Sequence, residues 1–325
     1  MLAFIARRLS STLAILFIGL TLTFFILHWA PGDPASRFLF SSMDPAAREA
    51  IVQRFGLDQS IGTQYAKWLQ QVIWHRDFGN SFHSGRPATH VIAEVLPYTL
   101  LISGTALLLG FGLGLLLGVV SALRKNTALD RTITALVLFF YSMPTFLIGL
   151  FLLSVFAIRL DWLPASQIHS VFYTDMGFWG RLGDTLRHML LPVATLALTL
   201  AATFYRYSRD AMIRILHSEY MLAARARGLR QRQIIWKYGL RNSLIPLISQ
   251  LGLVIPMLFS GVVVIEVLFS LPGMGRVMLE AVLAQDYPVI MAASMIAFLV
   301  VIGANFLADI GYALADPRVR LEGSK

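Results

Sequence analysis

PYTLLISGTALLLGFGLGLLLGVVSAL, residues 97–123, is the stretch that decides the fold. It contains no charged side chain, and it is longer than the roughly 20 apolar residues that a helix needs to cross a bilayer core of about 30 Å. Gly110, Gly114 and Gly118 recur along it every four residues, which places small groups on one helix face. The stretch therefore predicts a membrane-spanning helix against which another helix packs closely.

Comparable apolar runs recur along the whole chain of 325 residues, which is 57% hydrophobic and only 14% charged. Soluble domains are about 45–50% apolar and about 25% charged, so an all-α integral membrane protein is expected. The other predicted spans are residues 9–30, 129–158, 188–204, 247–270 and 289–314. The first is interpreted as a retained span, because it is longer than a signal-peptide core and lacks a small-x-small cleavage site. Six transmembrane helices place both termini on the same side.

Basic residues are distributed unevenly between the segments that connect the spans. One set comprises the N-terminus and residues 124–131, 205–245 and 316–325; the other comprises residues 31–96, 159–187 and 271–288. The first set carries 17 Lys and Arg against five acids, and the second carries the remaining 10 (27 − 17) against 11 acids. Because Lys and Arg concentrate on the cytoplasmic side, the first set is predicted to face the cytosol. The net charge of +9 is therefore interpreted as a topology signal, and no nucleic-acid partner is expected.

Two acidic side chains, Glu266 and Asp309, fall inside the predicted spans. A charge at membrane depth is costly unless it faces protein or water, so each residue is a candidate for a direct role in transport. Structural pairing with a loop arginine or backbone amides is the alternative, because both residues lie near a predicted span end. Both interpretations stay open on the sequence.

Prolines interrupt three of the predicted spans, at Pro144, Pro192 and Pro256. Proline removes a backbone donor and kinks a helix, which is tolerated where neighbours or a water-lined path satisfy the freed carbonyl. The three prolines are therefore candidate kinks in a gated passage. They are alternatively ordinary features, because proline is common in membrane helices.

SEYMLAARARG, residues 218–228, predicts a short helix within the cytoplasmic loop 205–245. Ser218 is a candidate N-cap, and Glu219 adds a negative charge to the first turn. Gly228 supplies the residue that most easily adopts the left-handed conformation past a helix end. The alanines between them form a surface of low bulk that a backbone of another protein can approach. A solvated basic loop is the alternative, and the position between two spans favours binding.

Motifs for catalysis and for nucleotide binding do not occur in the sequence. HExxH, GxSxG and GxxxxGK[ST] are all missing, and there is no cysteine. The seven histidines lack metal-ligand spacing. A role in transport or as a scaffold is therefore expected, with no catalytic residue and no metal site. An intramembrane enzyme is the more remote alternative, because such enzymes can use residues far apart in sequence.

The stretch LAARARG at residues 222–228 resembles the EAA loop in permease subunits of binding-protein-dependent ABC importers. Further pieces resemble the dipeptide, oligopeptide and nickel permease family, and specifically its first, B-type permease. They occur in the family's order along nearly the whole chain: GLDQS (56–60), DFGNS (77–81), LPYTL (96–100), SMPTF (142–146), DWLPAS (161–166), HMLLP (188–192), FSLPGMGR (269–276), DYP (286–288) and ALADPRVR (313–320). The chain departs from the family pattern at Leu222, where the motif has glutamate, at Leu271, where tryptophan is frequent, and near Ser60, where proline is frequent.

This resemblance implies the type I ABC importer permease fold in the bacterial cytoplasmic (inner) membrane. A single permease domain would cover residues 1–325, with 31–96 as an extracytoplasmic insertion between the first two spans. The implied partners are a second paralogous permease subunit, two cytoplasmic ABC ATPases, an extracytoplasmic substrate-binding protein and the lipid bilayer. ATP and Mg would be bound by the ATPases, and no cofactor by this chain. The implied ATPase-coupling residues are Glu219, Leu222, Ala223, Ala224, Arg225, Arg227, Gly228 and Leu229.

A short peptide is the cargo that the resemblance favours. Nickel complexes, glutathione or another small solute are the alternatives, and no His, Cys or Met cluster favours a metal. An ion-coupled secondary transporter is an alternative of another class, for which Glu266 and Asp309 are the available intramembrane groups.

Overall fold

The computed structural model describes residues 2–29 and 58–315, so residue 1, residues 30–57 and the C-terminal segment 316–325 lie outside the description, and with them much of the predicted insertion 31–96. The described part is helical, and its only β-type pairing is an isolated bridge between Asn80 and Pro87. Its α-helices are α1 (Leu2–Trp29), α2 (Ile61–Gln70), α3 (Ala88–Leu123), α4 (Ala128–Ser142), α5 (Thr145–Leu152), α6 (Phe178–Leu216), α7 (Glu219–Ala226), α8 (Gln231–Gln233), α9 (Arg241–Leu268), α10 (Met274–Ala284) and α11 (Tyr287–Ala315). Three π-helical turns extend or precede them, at Gln71–His75, Leu153–Arg159 and Ile234–Leu240.

Four of these helices are long and apolar enough to cross a membrane among the described residues. They are α1 over Thr12–Trp29, α3, α6, and α11 over Tyr287–Phe306. The pair Ala128–Ser142 and Thr145–Arg159 adds a fifth span if its two halves, bent by 105°, count as one. The fifth span predicted from the sequence, residues 247–270, lies on α9, where Pro246–Pro256 is a shorter apolar stretch.

Helix bounds differ from the predicted spans mainly at the fourth. The span predicted at residues 188–204 is the middle of α6, a continuous helix of 39 residues. Polar and charged residues occupy both ends of α6, so hydropathy detects only its centre. As a consequence, the first 12 residues of the predicted loop 205–245 continue this helix, up to Leu216.

The three predicted proline interruptions have different structures. Pro144 does break its span: α4 ends at Ser142, and Pro144 is the N-cap of α5 with an extended backbone (φ −55°, ψ 135°). Pro192 and Pro256 lie inside α6 and α9, which continue through them. Pro144 therefore separates two helices, whereas Pro192 and Pro256 are accommodated within continuous helices. The role of the three prolines as kinks in a gated passage stays a prediction.

The chain forms two compact units, residues 1–97 with 273–302 and residues 98–272 with 303–325. In the first unit, Leu20 and Phe24 of α1 and Met291 of α11 are buried together. The ring of Phe24 contacts Tyr65 and Trp68 of α2, at centroid distances of 5.2 and 5.6 Å. These contacts hold the short helix α2 on the end of α1.

In the second unit, the glycines of the opening stretch lie against α6. A Cβ atom placed on Gly114 would come within 2.7 Å of the Ala201 carbonyl oxygen and of Phe204 Cβ, and one on Gly118 within 2.7 Å of Ser208 Cβ. The predicted close packing is confirmed, and it joins α3 to α6 on two successive turns of α3.

Candidate functional site

The helix predicted in the loop is α7, and its two ends explain where it begins and stops. Ser218 is the N-cap with an extended backbone (φ −75°, ψ 153°), but its hydroxyl donates to the Ile215 carbonyl at 2.6 Å and does not cap an α7 amide. The predicted capping bond is therefore wrong, although the position is right. Gly228 has φ +72° and its amide donates to the Arg225 carbonyl at 2.9 Å. This confirms the predicted left-handed helix stop.

The inner face of α7 packs against its own chain. Met221 and Ala224 are buried together with Ile234, and Ile215 and Leu216 at the end of α6 pack against this cluster. Ala224 was expected to contact an ATPase, yet only 6% of it is exposed. The residue instead anchors α7, because its small side chain lets the helix lie close to the segment that follows.

The outer face of α7 is formed by the exposed residues Glu219, Tyr220, Leu222, Ala223, Arg225 and Ala226. Leu222 has 56% of its surface exposed and Tyr220 has 45%, which is high for side chains of this type. Arg227 and Gly228 continue this exposed surface, whereas Leu229 is half-buried in the inner cluster. The face combines two apolar side chains, two alanines and two charges, a composition suited to contact with a protein.

Tyr220 and Ala226 belong to the outer face but were missed by sequence reasoning. The helical spacing does signal them, because the positions of the buried Met221 and Ala224 fix which residues point outward. The sequence alone does not show which of the two faces is buried.

Among the described residues, no three His, Cys, Asp or Glu side chains group as a metal site.

A buried ion pair lies between α4 and α6, and sequence reasoning missed it. Asp130 is 4% exposed and Arg209 of α6 donates to both of its carboxylate oxygens at 3.0 Å. In the sequence analysis, both residues count only toward the charges of the segments predicted to face the cytosol. The signal available in the sequence was Thr127, three residues before Asp130. Thr127 is the N-cap of α4, and its hydroxyl accepts a hydrogen bond of 3.4 Å from the Asp130 amide. That pattern predicts a helix start and carries no information about the arginine partner.

Glu266, the first of the two predicted intramembrane acids, lies in α9 and is fully buried. Its Oε1 accepts a hydrogen bond of 2.6 Å from the Thr99 hydroxyl of α3. The other candidate, Asp309, lies on α11, and its side chain is outside the described part of the structure.

In the first unit, a carboxylate holds a loop that lines a cavity. Asp286 is 3% exposed and accepts hydrogen bonds from the Ser81 hydroxyl at 2.6 Å and from the amides of Phe82 and His83 at 3.0 and 3.2 Å. Ser81 and Phe82 line a cavity of about 560 Å³, together with residues of α1, α2 and the start of α11. Asp286 therefore fixes one wall of this cavity.

Comparison with known proteins places these features in a family. Residues 1–103 match the description "Binding-prot-dependent transport system membrane comp, N-term" and residues 114–321 match "Binding-protein-dependent transport system inner membrane component". The chain is 35% identical to the oligopeptide transport system permease protein AppB of Bacillus subtilis, over 98% of this chain and 99% of AppB. It is 33% identical to the di/tripeptide transport system permease protein DppB of Pseudomonas aeruginosa, over 98% and 99%.

Two further similarities concern a different named cargo and a solved structure. The chain is 32% identical to the glutathione transport system permease protein GsiC of Shigella flexneri, over 98% of this chain and 99% of GsiC. An inward-facing structure of the MetNI methionine ABC transporter matches with a TM-score of 0.53 at 16% identity, over 70% of this chain and 96% of that chain. This structural match shows a shared fold. With its several apolar helices and two family matches that together cover nearly its whole length, this multi-pass membrane protein belongs to the family of binding-protein-dependent transport system inner membrane components.

Proposed function

We propose that this chain is one permease subunit of an ATP-driven importer of short peptides in the bacterial inner membrane. It forms half of the translocation path with a second, paralogous permease, and an extracytoplasmic binding protein delivers the peptide. Two cytoplasmic ATPases bind ATP and Mg and drive the cycle, while this chain binds neither. The observation that carries the proposal is α7, whose inner face is anchored to α6 and whose outer face is exposed.

The construction of α7 suits a contact that transmits force. An ATPase that binds the outer face pushes on a helix whose inner face is buried against the end of α6, so the push reaches a 39-residue helix. A flexible basic loop would absorb the same push, because its backbone has no buried anchor. We therefore assign the ATPase-coupling contacts to Glu219, Leu222, Ala223, Arg225, Arg227 and Gly228, and a supporting role to Ala224 and Leu229.

Single-cysteine cross-linking tests the docking surface directly, since the chain has no native cysteine. Ala223→Cys places a thiol on the outer face, and Ala224→Cys places one on the adjacent inner face. Ala66→Cys, on the exposed surface of α2, is the control at the other predicted side of the membrane. We expect the thiol at position 223 to cross-link to an ATPase subunit, and those at 224 and 66 not to. Absence of a cross-link from position 223 in the assembled importer would contradict the proposal.

The cargo requires a separate assay, because the family relatives named above include peptide and glutathione permeases. The assay is uptake of radiolabelled di- to pentapeptides into proteoliposomes that contain the complete importer and its binding protein. We expect ATP-dependent peptide uptake that unlabelled peptides inhibit and that excess glutathione or a nickel chelate does not. Uptake of glutathione in preference to peptides would assign the chain to the GsiC-like alternative. Uptake driven by a proton gradient without ATP would reject the importer.

A further inference from the structure

The ion pair between Asp130 and Arg209 has a geometry that fixes both side chains. Arg209 Nε lies 3.0 Å from Asp130 Oδ1, and Arg209 Nη2 lies 3.0 Å from Asp130 Oδ2. Two parallel bonds of this kind resist rotation of either partner, unlike a single contact. The pair is also largely shielded from water, since 5% of the Asp130 side chain and 23% of the Arg209 side chain are exposed.

Further hydrogen bonds bring three segments to the same carboxylate. The hydroxyl of Ser121, in the last turn of α3, donates a hydrogen bond to Asp130 Oδ1. The same hydroxyl oxygen accepts a hydrogen bond of 3.1 Å from Arg209 Nε. The amide of Asn126, in the turn between α3 and α4, donates to Asp130 Oδ2 at 2.9 Å. The end of α3 and the turn after it are therefore hydrogen-bonded to Asp130 at the start of α4. Asp130 is in turn paired with Arg209 of α6.

A second connection lies one helical turn earlier on α6. The Tyr205 hydroxyl is 2.8 Å from Ser121 Oγ and 2.7 Å from Thr134 Oγ1 of α4. The Tyr205 ring also packs with Val137 and Ala202. Tyr205 and Arg209 thus hold α3 and α4 at two successive levels, which opposes tilting of α6 relative to either helix.

Sliding of α3 along α6 is opposed at the same level. A Cβ on Gly118 would lie 2.7 Å from Ser208 Cβ and 2.9 Å from the Arg209 amide nitrogen, so the two backbones are in close contact there. Protein interiors packed this closely have few alternative arrangements at low free energy. We expect α3 and α6 to move as one body at this point.

The ion pair is also close to α7 along the chain. Arg209 is seven residues before Leu216, where α6 ends, which is about 10 Å of helix. Only His217 and Ser218 separate α6 from α7, and Leu216 packs against the inner face of α7. A displacement of α7 therefore reaches Arg209 through two turns of helix.

We propose that Asp130 and Arg209 are positioning residues for transport: their ion pair carries the movement of α7 from α6 into α3 and α4. This inference rests on the proposed function, in which ATPases dock on the outer face of α7. A permease without the ion pair would still bind its ATPases, but their cycle of ATP hydrolysis would no longer move α3 and α4.

The test uses the complete importer in proteoliposomes and measures peptide uptake, ATP hydrolysis and ATPase co-purification on the same preparation. The variants are Asp130→Asn, Arg209→Gln and the double substitution, with Glu94→Gln as the control, because Glu94 forms an exposed ion pair with Arg86. We expect Asp130→Asn and Arg209→Gln to keep their ATPases and to lose at least tenfold in peptide imported per ATP hydrolysed. We expect no change in that ratio for Glu94→Gln, and no larger loss in the double variant than in either single one, since the two residues act as a unit.

Tyr205→Phe keeps the ring and removes only the hydroxyl that bridges Ser121 and Thr134. This variant keeps the inference testable if the ion-pair variants fail to assemble. We expect Tyr205→Phe to lower the amount of peptide imported per ATP hydrolysed two- to fivefold. A wild-type ratio in Tyr205→Phe, or in either ion-pair variant, would overturn the inference. So would losses that add in the double variant. Failure of the wild-type importer to bind ATPases or to import peptide would instead count against the proposed function.

Discussion

The Thr99 hydroxyl donates a hydrogen bond of 2.6 Å to Oε1 of Glu266, and the two residues are only 2% and 0% exposed. The bond joins α3 to α9 across 167 positions of sequence. The bond gives the Glu266 carboxylate a hydrogen-bond donor on a neighbouring helix, which supports the structural interpretation of Glu266. The coupling-ion site is the interpretation to test against it.

Substitution at Glu266 separates these two interpretations. Glu266→Gln keeps an oxygen that accepts from Thr99, so we expect ATP-dependent uptake within about twofold of wild type and insensitive to a protonophore. Thr99→Val removes the donor while keeping the shape, and we expect it to lower the free energy of unfolding by about 1–3 kcal/mol. Complete loss of uptake by Glu266→Gln, in a complex that still assembles, would restore the coupling-ion role.

Gly114→Ala tests the close approach of α3 and α6. The added methyl would lie 2.7 Å from a backbone oxygen that cannot rotate away, so we expect a loss of stability of about 1–3 kcal/mol. A Cβ placed on Gly112, two residues earlier, would meet no atom within 4 Å. Gly112→Ala should therefore be neutral or stabilising by up to about 1 kcal/mol. Thermal unfolding of the two variants in detergent checks this, and equal midpoints would contradict the packing.

Asp286→Asn tests how firmly the loop at residues 81–83 is held. The substitution replaces one acceptor oxygen by a donor. Either the Phe82 amide, or the Ser81 hydroxyl and the His83 amide together, then lose that acceptor, at about 1–3 kcal/mol for each group left unsatisfied. We expect faster hydrogen exchange of the Phe82 or His83 amide, measured by mass spectrometry. Asp77→Asn is the control, because Asp77 is exposed and accepts from the amide of Gly79, two residues away. Unchanged exchange at both amides in Asp286→Asn would show that the loop is held by other contacts.

Comparison of two side chains at Gly228 tests the backbone strain at the end of α7. Its φ is +72°, and a Cβ there would meet no atom within 4 Å, so a side chain has room but an unfavourable backbone conformation. We expect Gly228→Ala to lose about 1–2 kcal/mol of local stability at the end of α7. Gly228→Asn should lose less, because asparagine tolerates the left-handed region. ATPase co-purification should follow the order Gly, Asn, Ala, and the reverse order for Asn and Ala would contradict the strain argument.

The sequence predicted those parts of the fold that local physics determines. The apolar stretch at residues 97–123 indicated a membrane helix, and its glycine spacing indicated the close contact that Gly114 and Gly118 make. Gly228 indicated where α7 stops, since few other residues adopt its backbone conformation. Each of these features depends on neighbouring residues or on one helix face.

Features that depend on distant pairing were not predictable from one sequence. Asp130 meets Arg209 across 79 positions, and Ser81 meets Asp286 across 205. No local pattern shows which of many arginines approaches a given carboxylate. The different outcomes at Pro144 and Pro192 have a similar origin, because neighbouring helices decide whether a proline ends a helix or is accommodated within it.

The 105° bend between α4 and α5 restricts what can surround that corner of the molecule. The backbone is non-helical at Met143 and Pro144, so α4 ends at Ser142. The carbonyl oxygens in the last turn of a helix have no amide partners within that helix. Hydrocarbon tails cannot solvate such oxygens, so in a bilayer this corner belongs against another polypeptide or water. The surface available to annular lipid is therefore smaller than the apolar composition of the two helices implies.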